Sequence, residues 1–65
     1  MSRVDYEVQT SRGVTIKVFD ERRAANRYAN DIQHEFPGVQ VFSVEYVEPI
    51  RRRIYRPATQ LRSVA

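Results

Sequence analysis

The sequence predicts an α+β fold: a small antiparallel three-stranded sheet in the order β-β-α-β, one helix packed on one face, and a basic C-terminal arm or edge strand. Three observations predict it. Two runs alternate apolar and polar residues on either side of a glycine turn. A stretch after them repeats apolar residues at three- and four-residue steps, and a third alternating run follows Pro37-Gly38. Period two marks a half-buried strand, and a period near 3.6 marks an amphipathic helix.

The first run sets Val4, Tyr6 and Val8 against Arg3, Asp5, Glu7 and Gln9. Thr10-Ser11-Arg12-Gly13 supplies the turn, and the second run sets Val14, Ile16 and Val18 against Thr15, Lys17 and Phe19. Asp20 is the expected N-cap. Ala25, Tyr28, Ala29, Ile32 and Phe36 form the helical stripe, which Pro37 and Gly38 should end near Glu35. In the third run, residues 39–48, Phe42, Val44 and Tyr46 share a face free of charge, so that face is expected beneath the helix. Phe19, Val41 and Val47 then form an apolar streak on the outer face, among Asp5, Glu7, Thr15, Lys17 and Glu45.

After Pro49 the pattern is irregular. Arg52 and Arg56 alternate with Ile50 and Ile54, and arginine is a poor occupant of a central strand because its charge would lose water. An edge strand or arm tolerates it better. The expected organisation is therefore a core over residues 1–48 and a basic arm and tail over 49–65, with residues 58–65 frayed. If residues 50–56 instead form a fourth strand, the element order ββαββ is similar to that of the immunoglobulin-binding domains of streptococcal protein G, a minimal β-grasp. That resemblance is one of pattern over about residues 3–56 and implies no binding residues. It would put the last strand at the centre of the sheet.

Composition narrows the functional classes. A 65-residue chain allows one domain with a thin core, and the absence of cysteine rules out disulfides and thiolate metal sites. No apolar run approaches a membrane span, and the first residues lack a secretory h-region, so a cytoplasmic protein is expected. Charge is unevenly placed. Six basic and eight acidic residues precede Pro49, whereas five basic residues and no acid follow it.

Catalysis finds little to work with. His34 is the only histidine; Asp31 could share its helix face, but no serine or cysteine nucleophile can be placed beside them. Asp31, His34 and Glu35 do not converge on one point of a helix, so no metal is expected. Neither glycine belongs to a phosphate loop, and no cofactor or small-molecule substrate is expected.

The remaining candidate is Arg51, Arg52, Arg53, Tyr55 and Arg56. Guanidinium groups pair with phosphates, and a tyrosine ring can stack on a base, so these residues point to nucleic-acid binding with little base reading. The alternative is a protein-interaction module or inhibitor, of a kind that mobile elements encode. It would act as a homodimer or on a protein partner through Phe19, Val41 and Val47 or through a strand edge.

Overall fold

A computed structural model describes residues 2–61. It contains β1 (Ser2–Gln9), β2 (Thr15–Phe19), α1 (Arg22–Ile32), β3 (Gln40–Val47) and β4 (Arg52–Pro57). All neighbouring strands are antiparallel, in the order β2-β1-β3-β4. The α+β class holds, but the sheet has four strands rather than three. The objection to arginine applied to a central strand. β4 lies at the edge, where Arg52, Arg53 and Arg56 all reach solvent. For the same reason the β-grasp arrangement is not formed: the last strand is outermost. A turn over residues 48–51, with Glu48-Pro49 cis and Arg51 at φ 53°, joins β3 to β4.

The helix begins one residue later than expected, with Glu21 rather than Asp20 at the N-cap and no side-chain cap. It ends at Ile32. Glu35 and Phe36 N–H then both donate to the Ile32 carbonyl, which closes a turn. His34 lies exposed in that turn and Phe36 is 40% exposed, not a core residue.

β1 keeps the expected phase, and Val8 is fully buried under the helix. Two other strands do not. In β2 the pairing runs Tyr6 with Phe19, Glu7 with Val18 and Val8 with Lys17, then jumps to Gln9 with Thr15. Ile16 is thus a bulge residue, and one extra residue reverses the face of everything after it. Phe19 turns inward, its ring 5.4 Å from that of Tyr28, and Lys17 Nζ lies within 6 Å of both ring centroids (5.9 and 5.8 Å). Val18 turns outward and is 51% exposed. Val14 and Val4 are also exposed rather than core.

In β3 the phase is likewise opposite to expectation. Val8 pairs with Val41 and Tyr6 with Ser43, so Val41, Ser43, Glu45 and Val47 share the helix side. Phe42, Val44 and Tyr46 face away. The physical reason is helix length. The 11 residues of α1 cover about 16 Å, whereas the eight residues of β1 or β3 span about 26 Å. Glu45 falls beyond the covered half, so it is only half-buried and its charge keeps part of its water. Val39 and Val41 take the covered half and pack with Ala25 and Ala29.

The chain after β4 is also ordered over residues 58–61. Ala58 N–H donates to the Val41 carbonyl at 2.9 Å, and the Thr59 hydroxyl accepts from Val41 N–H at 2.9 Å and donates to its carbonyl at 3.2 Å. Asn26, buried on the helix, donates from Nδ2 to the Ala58 carbonyl at 3.0 Å and accepts at Oδ1 from Gln60 N–H at 2.6 Å. Ala58 and Leu61 join the core. The expected frayed tail is therefore corrected for these residues; residues 62–65 lie outside those described.

One substitution pair tests the bulge. Phe19→Ala should lower stability by about 2–3 kcal/mol, since it opens the core beside Tyr28, while Val18→Ala should change it by no more than about 0.5 kcal/mol. Urea denaturation of both variants gives the comparison, and the reverse ordering would contradict the register.

Candidate nucleic-acid interface

Among the described residues no helix or second sheet covers the face of the sheet away from α1. Its rows follow from the register. Arg3, Tyr46 and Arg53 lie side by side across β1, β3 and β4; Asp5, Val44 and Tyr55 form the next row; Val18, Glu7, Phe42 and Pro57 the one after. Tyr46 thus sits between two arginines. The Arg53 guanidinium lies over its ring, 5.2 Å from the centroid, a cation–π contact. Arg53 is exposed, and its pKa is raised above the ordinary value, first by the Tyr55 hydroxyl and then by Tyr46, so it keeps its charge. Tyr55 is 47% exposed. Val44 is fully buried without a helix over it, because large side chains surround it: Phe42 and Tyr46 along its strand, Tyr55 across.

The acids of this face are held down. Asp5 and Glu7 are each 7% exposed. Arg3 Nε donates to Asp5 Oδ1 at 3.3 Å. Glu7 Oε1 accepts from the Thr15 hydroxyl at 2.8 Å and from Gln9 Nε2 at 3.2 Å. The exposed side chains of this face therefore include Arg3, Arg53, Tyr55 and Val18, with Phe42 and Tyr46 half-buried among them, while Asp5 and Glu7, expected to show on the outer face, are buried in it.

The structure divides the sequence-predicted site. Arg53 and Tyr55 lie on the open face, Arg51 in the turn at the end of the sheet, and Arg52 and Arg56 on the helix side. The chain matches no family model, and no curated protein or solved structure matches it. Of the three residues expected as an outer protein contact, Phe19 and Val41 lie beneath the helix, and Val47 is on the helix side but beyond the helix. Sequence reasoning missed Arg3, Phe42 and Tyr46. The cross-strand register that aligns Arg3 and Arg53 on Tyr46 has no signal in any single stretch of sequence.

A second basic surface lies on the helix flank. Arg22, Arg23 and Arg27, with Asn26, Asn30, Asp31 and Gln60, line a groove of about 660 Å³. The first turn of α1 carries arginines and no acid, the reverse of what the helix dipole favours. Among the described residues no group of three metal-ligating side chains comes together, and no helix is long and apolar enough to cross a membrane.

Proposed function

We propose that this protein is a non-catalytic binding protein that holds single-stranded nucleic acid on its open sheet face. The observation that carries the reading is the Arg3–Tyr46–Arg53 row with Tyr55 beside it. The exposed Tyr55 ring offers a stacking platform to an unpaired base, the Arg53 guanidinium lying on Tyr46 offers a second flat face, and guanidinium groups neutralise the adjacent phosphates. Every base has a flat face, so such a surface tolerates many sequences. Arg51, at the end of the sheet, extends the phosphate contacts. The reading keeps Arg51, Arg53 and Tyr55 from the arginine-rich segment and replaces Arg52 and Arg56 by Arg3, Tyr46 and Phe42.

Duplex is the poorer ligand, because its bases are already stacked and cannot reach the rings. An anisotropy titration with a labelled single strand and a duplex of equal length, at low salt, tests this directly. Tighter binding to the single strand is expected. Equal affinity for both would remove the stacking argument, and no binding to either would remove the function.

One observation favours a second reading, a protein-contact module. Val44 and its aromatic ring of Phe42, Tyr46 and Tyr55 form a patch that an apolar protein surface could also cover. That reading expects no nucleic-acid binding at all, and so the same titration separates the two.

A further inference from the structure

We propose that a second copy of the chain covers the bare half of the helix side of the sheet, in a two-fold dimer that pairs Glu45 of each copy with Arg52 and Arg56 of the other. Beyond the end of α1, Val4, Glu45 and Ile54 lie in one row across β1, β3 and β4, with Val47 and Arg52 in the row towards the turn. None of these residues belongs to the core cluster. β2 pairs with β1 only from Tyr6 to Gln9, so at this end the sheet is three strands wide, and among the described residues no helix lies on either face. A sheet this narrow gains stability by burying a face.

Charge indicates what covers it. Glu45 is half-buried between Val4 and Ile54, yet among the described residues it has neither an ion pair nor a hydrogen bond. Arg52 and Arg56 flank Ile54 on the same face, exposed, and also without a carboxylate partner among the described residues. Across a two-fold axis an apolar centre meets its copy and each Glu45 can meet arginines of the other copy, as an isologous contact requires, with two of the four arginines left in excess at the rim. The layers also match. A helix stands on a sheet at about the distance that separates two packed sheets, roughly 10 Å. The partner's bare half therefore fits level with α1 and fills the step at its end. The protomer is elongated, 44 × 22 × 15 Å.

This dimer does not depend on the nucleic-acid reading, since it uses the opposite face. It leaves two open faces pointing outward, so a bound strand long enough to reach both would be held bivalently.

Sedimentation equilibrium at tens of micromolar tests the proposal. The wild type should be a dimer, Ile54→Glu a monomer, and Tyr55→Glu, on the other face, still a dimer. Glu45→Arg should weaken association about tenfold or more, and adding Arg52→Glu and Arg56→Glu should restore it. That rescue decides the matter should Ile54→Glu fail to fold, as circular dichroism would reveal. A wild-type monomer, a dimer broken by Tyr55→Glu and not by the helix-side changes, or a charge reversal with no effect would each overturn the proposal.

Discussion

Asn26→Ala should lower the unfolding free energy by about 2–3 kcal/mol, a large share of the stability of so small a domain. Asn26 is buried and makes three bonds. Its Nδ2 serves the Arg22 and Ala58 carbonyls, and its Oδ1 receives Gln60 N–H. Alanine leaves the groups on residues 58 and 60 either unpaired or free to take water by lifting away. Lifting away also exposes Ala58 and Leu61, which belong to the core. Urea denaturation should show the loss, and amide exchange at Gln60 should become fast. Asn26→Asp should be at least as harmful near neutral pH, because it aims a carboxylate oxygen at the Ala58 carbonyl. Burial disfavours the charged form of the introduced acid, so the deficit should shrink as pH falls through the carboxylate range. Unchanged stability in the alanine variant would mean that the segment after β4 does not hold to the helix.

Tyr55→Ala should weaken binding to a single strand by about 1–3 kcal/mol, roughly five- to 150-fold, through loss of one stacked base. Tyr55→Phe should keep most of the affinity, since the ring and not the hydroxyl is the platform. Tyr55 is well exposed at an edge strand, so neither change should disturb the fold. Tyr46→Ala should cost a similar amount and also free the Arg53 guanidinium from its ring. Anisotropy titrations of the three variants provide the comparison. A phenylalanine variant as weak as the alanine variant would point to hydrogen bonding instead of stacking.

Much of the architecture is legible in local pattern. The hairpin, the helix and the third strand follow from periodicity, and the phase of β1 follows from Val4, Tyr6 and Val8. What pattern misses lies between elements. The bulge at Ile16 adds one residue to an otherwise regular alternation, and nothing in the Val14–Phe19 run marks it. For β3, both faces are apolar enough to be buried, and the choice rests on how far α1 reaches along the sheet. A charge-free face looked like the inner one. Glu45 could occupy the helix side because the helix stops short of it. The candidate site shows the same division. The arginine-rich segment is conspicuous in sequence, but Tyr46 acquires its two flanking arginines from the first and last strands. Ala58 and Thr59 looked like a loose tail because their bonds are made to Asn26 and Val41, far away in sequence.

The most direct measurement of the central claim is the salt dependence of single-strand affinity for the wild type and for Arg3→Ala/Arg53→Ala. With Arg3, Arg51 and Arg53 engaging about three phosphates, log affinity should fall against log salt with a slope near −2, flattening to about −0.7 in the double variant. Arg22→Ala/Arg27→Ala, on the helix flank, should leave the slope as it is. No binding by the wild type at low salt would contradict the account outright. A slope flattened by the helix-flank variant and untouched by the open-face one would contradict its placement.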